Sequence, residues 1–123
     1  VVTSKEVGDE AEAKALRHVL GHGLTLVQRN YRVARGPRAR GGEIDLILRE
    51  RDGTLVFAEV RARRDGRGHG GAAASVSATK QRRLVFAAQC YLARWPAPPP
   101  CRFDVIAIDG DTVQWLKAAF DAG

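Results

Sequence analysis

The chain has 123 residues, with 20 Lys and Arg against 14 Asp and Glu, and a formal net charge of +6. A hydrophobic fraction of 45% beside 28% charged residues excludes a disordered tail, because that much apolar surface offsets the entropy of ordering. No apolar run approaches the roughly 20 residues that span a bilayer, no secretory leader opens the chain, and Cys90 and Cys101 lack CxxC spacing and are too few for a disulfide framework. These features predict a reduced, cytoplasmic protein with a single domain over residues 1–123 and no membrane partner.

Thr3-Ser4-Lys5-Glu6 fits a capping box and opens a first helix that runs to Gly21, where Gly21 and Gly23 stop it. Gly8, Ala11, Glu12, Ala15, Leu16, Val19 and Leu20 recur at helical spacing and form one stripe. Leu24 to Val33 reads as a first strand, broken by Gly36-Pro37. Two alternating runs follow, Glu43 to Leu48 and Val56 to Arg61, and Arg51-Asp52-Gly53 suits a three-residue hairpin loop with Gly53 at a positive φ. That loop sets Ile44, Leu46 and Leu48 against Val60, Ala58 and Val56 on one face. On the other face it sets Ile47 against Phe57, Asp45 against Glu59 and Glu43 against Arg61.

The segment Asp65 to Gly71 is glycine-rich and reads as a surface loop. Ser77 caps a second helix to about Trp95, with Leu84, Ala88, Tyr91 and Trp95 inward, and Pro96 to Pro100 ends it. Phe103 to Ile108 is a fourth strand, and a short strand over Thr112 to Trp115 follows Asp109-Gly110. The order α-β-β-β-α-β predicts an α/β fold, a mixed sheet flanked by helices.

Charge is segregated along this order. Residues 29–42 carry a net +5 and residues 61–103 a net +8, while residues 43–60 between them carry −3. Basic blocks attract a polyanion through counterion release, and the planar guanidinium fork suits phosphate oxygens. Arg35, Arg38, Arg40, Arg63, Arg64 and Arg67 are the candidate nucleic-acid contacts; a solvated arginine-rich face accounts for the same residues.

Asp45 opposite Glu59 calls for an explanation. Facing side chains in an antiparallel pair lie about 5 Å apart, and at an effective dielectric near 20 two like charges there repel by roughly 3 kcal/mol. A raised pKa, neighbouring arginines or a bound divalent cation would each relieve this. Glu12, on the apolar stripe of the first helix, adds a third carboxylate if that stripe docks on the sheet, and hard oxygen ligands suit Mg²⁺ or Mn²⁺. The alternative needs no metal: Arg61 bridges Glu43 and Glu59 while other arginines pair Asp45.

Gly42-Glu43-Ile44-Asp45-Leu46-Ile47 followed by Phe57-Ala58-Glu59-Val60-Arg61 and Arg63 resembles the restriction-endonuclease-like pattern of an Asp before a Glu-x-Lys element. Gly8-x-x-x-Glu12-x-x-Ala15, Gly23-Leu24, Asn30-Tyr31-Arg32, Gly70-Gly71-Ala72-Ala73, Lys80-Gln81 and Cys101-Arg102-Phe103-Asp104-Val105 extend the likeness along the chain. Together they resemble the YraN-like family of uncharacterised bacterial proteins, which is similar to archaeal Holliday-junction resolvases. The resemblance implies a restriction-endonuclease-like three-layer core and metal positions at Glu12, Asp45 and Glu59. It also implies a nuclease-like protein that binds nucleic acid, foremost structured or branched DNA, as a homodimer that cuts two strands symmetrically. No small-molecule cofactor is indicated.

Arg61 stands where that superfamily has lysine. Arginine stays protonated and cannot act as a base, although it can stabilise charge developing on a phosphoryl group. The catalytic candidates are therefore Asp45, Glu59, Arg61 and Lys80, the last offering a lysine from the first turn of the second helix. The substitution keeps a second function class in view, a non-catalytic nucleic-acid-binding module on the same fold.

His18 and His22 lie four apart, as two zinc ligands do, but a helix C-terminus also favours histidine and no third ligand is evident. Asp104 beside Arg102 reads as a strand-end salt bridge. Tyr91, Trp95 and Trp115 read as packing residues.

Overall fold

The computed structural model describes residues 1–34, 36, 41–63 and 76–122. Helix α1 spans Ser4–Gly21, and the Thr3 hydroxyl accepts from the Glu6 amide at 3.1 Å, so one orphan donor of the first turn is satisfied as the capping motif predicts. Three strands follow, β1 (Thr25–Val33), β2 (Gly42–Arg49) and β3 (Leu55–Arg63). Helix α2 (Ala78–Leu92) leads to β4 (Cys101–Asp109) and β5 (Thr112–Phe120). The sheet order is β1-β2-β3-β4-β5, antiparallel throughout except for the β3–β4 pair. The parallel pair needs a crossover, and α2 lies within it.

The two helices among the described residues cover opposite faces. Ala11, Ala15 and Val19 of α1 pack on Leu46, Leu48, Val56, Ala58, Ile106 and Ile108. Leu84, Ala87, Ala88 and Tyr91 of α2 pack on Ile44, Ile47, Leu55, Phe57 and Phe103. This three-layer α/β arrangement is consistent with a restriction-endonuclease-like core, with the mixed sheet buried on both faces where β2, β3 and β4 run. Among the described residues no helix is long and apolar enough to cross a membrane.

The hairpin loop sets the register as its three-residue length requires. Glu50 N–H donates to Thr54 O at 2.9 Å, Gly53 takes φ +93°, and Leu46, Ile47, Leu48 and Arg49 face Ala58, Phe57, Val56 and Leu55. The pairing ends there, so Asp45 and Glu59 are not a ladder pair, nor are Glu43 and Arg61. Alternation also breaks at the same level. Ile44 packs on the α2 side while Leu46 packs on the α1 side, against the expectation that Ile44, Leu46 and Leu48 share one face. On β1, which pairs Arg29 with Leu46 and Tyr31 with Ile44, the intervening Asn30 adopts φ +52°, and Tyr31 turns to stack edge-on against Tyr91 of α2.

Two element ends and one helix face differ from the sequence reading. The second helix ends at Leu92, and Trp95 packs beside Tyr91 from beyond the helix end, at a ring distance of 5.4 Å. The fifth strand runs on to Phe120, whose ring stacks on Phe103 at 5.2 Å. On α1, Gly8 and Leu20 are exposed, so the buried stripe is narrower than its spacing suggests.

Candidate functional site

Gly42 brings β2 against α2. A Cβ there would overlap the Arg83 carbonyl and Ala87, so only glycine permits this approach. Three residues on, where β2 has stopped pairing with β3, the Asp45 carboxylate takes the place of a backbone partner and accepts from the Val60 amide at 2.8 Å. Burial, and next the neighbouring Glu59, push the Asp45 carboxyl from 3.8 up to about 7. The Val60 amide opposes the rise, and Glu12 and Glu43 add to it. Glu59 and Glu12, the other carboxylates that the sequence singled out, thus lie near enough to disfavour the charged form of Asp45.

Glu59 is buried on β3, and its Oε1 receives the Lys80 ammonium at 3.0 Å, with the Arg61 guanidinium farther away at 4.0 Å. Lys80 reaches this point because the Ser77 hydroxyl accepts its backbone amide at 3.2 Å, fixing the first turn of α2 above the sheet. Glu12 is buried on α1, and its Oε1 accepts from Arg29 Nε at 3.2 Å, Arg29 Nη2 at 3.1 Å and Asn30 Nδ2 at 3.2 Å. The left-handed turn at Asn30 helps both neighbours reach one carboxylate oxygen. Arg29 and Asn30 were not predicted as site residues; the available signals were the place of Asn30 in the Asn30-Tyr31-Arg32 motif and of Arg29 in the basic block over residues 29–42.

Glu43 pairs with Arg32 at 3.5 Å, so the proposed Arg61 bridge between Glu43 and Glu59 does not form. Among the described residues, no three His, Cys, Asp or Glu side chains are gathered as a metal ion would need. Glu12 is drawn to β1 and Glu59 to α2. The donor chemistry nonetheless fits a hard divalent cation. Every hydrogen bond to the three carboxylates from a described residue goes to one oxygen each, Glu12 Oε1, Asp45 Oδ2 and Glu59 Oε1, which leaves the other oxygen of each without a described partner.

Of the candidate nucleic-acid contacts, Arg35, Arg38, Arg40, Arg64 and Arg67 lie outside the described residues, as does the side chain of Arg63 and the glycine-rich segment. Asp104 is not part of this site. It is fully buried and accepts from Arg102 Nε at 3.0 Å, Trp115 Nε1 at 2.9 Å and the Ala118 amide at 2.9 Å. His18 and His22 pack together, with ring centroids 4.4 Å apart, and both meet Trp115 edge-on.

Residues 11–108 match the model of the uncharacterised protein family UPF0102, a stretch that holds Glu12, Asp45, Glu59 and Lys80. A UPF0102 protein of Methylibium petroleiphilum is 65% identical over 122 residues, covering 99% of both chains. Others from Acidovorax sp. and Cupriavidus taiwanensis are 60% and 56% identical, covering 98% and 94% of this chain and 88% and 82% of their own lengths. The chain belongs to the uncharacterised UPF0102 family, the YraN-like family.

Proposed function

We propose that this protein is a nuclease-like nucleic-acid-binding protein whose site, loaded with Mg²⁺ or Mn²⁺, hydrolyses phosphodiesters in structured or branched DNA. The observation that carries this reading is the Asp45 carboxylate, held by the Val60 amide where β2 leaves β3 and coupled to buried Glu59. Asp45 and Glu59 would hold the cation, with Glu12 as a further carboxylate. When bound, such an ion supplies Lewis-acid polarisation of a phosphodiester and hydroxide at neutral pH. The chain's own cations do the rest: Arg61 and Lys80, both half-exposed, stabilise charge on the phosphoryl oxygens.

The test is incubation of purified protein with branched and linear DNA in Mg²⁺ or Mn²⁺. Cleavage is expected to fall by two orders of magnitude or more in Asp45→Asn; cleavage no greater than that of the variant on every substrate would overturn the catalytic reading. A second reading, a binding module without catalysis, is favoured by one specific feature. Lys80 already neutralises Glu59, and Arg29 neutralises Glu12. It expects salt-dependent DNA binding that persists in an Asp45→Asn, Glu59→Gln double variant.

A further inference from the structure

A lysine in the first turn of a helix works against the macrodipole, whose N-terminal end is itself positive and favours anions. The first turn of α2 contains no acidic residue and carries Lys80 instead. Its counter-ion comes from another element. Glu59 on β3 is almost wholly buried, its side chain 7% exposed, while the Lys80 side chain is 37% exposed. The two partners are therefore held unequally. Glu59 cannot be left unpaired without a large penalty, because a buried charge stripped of its partner has no water to turn to. Lys80 for its own part can be solvated elsewhere, since its ammonium sits at the edge of solvent on a flexible stem while its backbone stays fixed by Ser77.

From this asymmetry we propose that the Lys80–Glu59 ion pair is an exchangeable contact that couples metal binding to nucleic-acid binding. The inference rests on the function proposed above. In the metal-free protein Glu59 Oε1 holds Lys80. A divalent cation that takes Glu59 replaces the ammonium as its counter-charge, and Lys80, released at the positive end of α2, turns to a phosphate oxygen of the nucleic acid. No covalent step is involved. Lys80 leaves only when another cation takes its place, so each ligand favours the other, and the coupling is reciprocal. Arg61 does not serve this purpose, because at 4.0 Å it is the weaker partner of the same carboxylate.

The experiment measures the affinity of a fluorescent branched duplex by anisotropy at constant ionic strength, with EDTA or with Ca²⁺ as the hard cation. The thermal shift produced by Ca²⁺ alone is read in parallel. Ca²⁺ is expected to tighten DNA binding by about fivefold or more in the wild type, within the usual range of coupling between two sites. Lys80→Gln should lose that tightening and keep the thermal shift; Lys80→Arg, which retains the charge, should keep both. Glu59→Gln removes the charge that holds Lys80, so in EDTA it should bind DNA more tightly than the wild type. Asp9→Asn, which removes an equal charge from the exposed face of α1, should not. The Glu59→Gln arm keeps the proposal falsifiable should Lys80→Gln fail to fold.

Tightening by Ca²⁺ that persists in Lys80→Gln would overturn the exchange and leave the metal-and-DNA reading standing. Equal affinity in EDTA and Ca²⁺ for the wild type would likewise overturn the coupling. Absence of both a Ca²⁺ thermal shift and DNA binding in the wild type would overturn the proposed function, and this inference with it.

Discussion

The Asp45 carboxyl lies between one contact that favours its charged form, the Val60 amide, and surroundings that disfavour it, burial and Glu59 first among them. Its pKa is about 7 in the folded protein against an ordinary value of 3.8, so the folded state keeps a proton that the unfolded chain has lost. By linkage, this group weakens folding as pH rises from 3.8 to about 7, by at most about 1.4 kcal/mol per unit, and adds nothing further above that range. Asp45→Asn keeps an oxygen for the Val60 amide and removes the charge. In EDTA, urea unfolding should therefore show the variant gaining on the wild type between pH 5 and pH 8. An unchanged stability difference at the two pH values would contradict this account. The need for relief at Asp45 was legible from the alternating strands, because the hairpin register brings two acids near each other. The manner of relief was not legible. That Asp45 caps an amide and that Lys80 arrives from α2 depend on where β2 and β3 part, and no local spacing encodes that point.

The register of β2 and β3 was readable because one glycine in a three-residue loop leaves a single pairing consistent with both apolar faces. The switch of face at Ile44 was hidden, because it accompanies a left-handed Asn30 on the neighbouring strand. The length of β5 was hidden for a similar reason. Its residues past Leu116 do not alternate, and that far half is held by a buried side chain of β4 instead. There the ladder shifts register between Phe103 and Val105, Ala118 adopts φ +51°, and Asp104 spans the irregularity by binding both the Ala118 amide and the Trp115 indole. Arg102 completes the lock, donating to Asp104 and, at 2.7 Å, to Glu50. Asp104→Ala removes the acceptor for three donors and leaves Arg102 undercompensated, so a loss of about 3–5 kcal/mol is expected in urea unfolding. A loss below about 1 kcal/mol would show that the strand is held by its backbone ladder alone.

Over the whole molecule, a net +6 conceals two basic blocks on either side of an acidic hairpin, and this segregation bears on partners more than the total does. Binding to duplex DNA should weaken linearly in log salt, with a slope of about −0.9 per phosphate neutralised. Replacing Arg38 and Arg40 together should make that slope shallower without abolishing binding. A slope near zero would exclude phosphate contacts as the source of affinity. The fold class and family were legible at this scale, since element order and dispersed motifs survive in the linear sequence. The grouping of cations around the carboxylates was not. Lys80, Arg61 and Arg29 come from three separate elements, and only the packing of both helices on one sheet brings them to Glu59 and Glu12.

The single parallel pairing in the sheet also has a kinetic side. β1, β2 and β3 form a meander whose partners lie close in sequence, whereas β3 meets β4 only after 37 intervening residues have been closed into a loop. Closing that loop costs chain entropy before any contact rewards it, which favours the local hairpins ahead of the crossover. The early part brings Asp45 and Glu59 together; the late part delivers Lys80 and the cover of α2. A hairpin formed ahead of the crossover would hold Asp45 and Glu59 with Arg61 of β3 beside Glu59, and Lys80 would reach Glu59 only when the crossover docks.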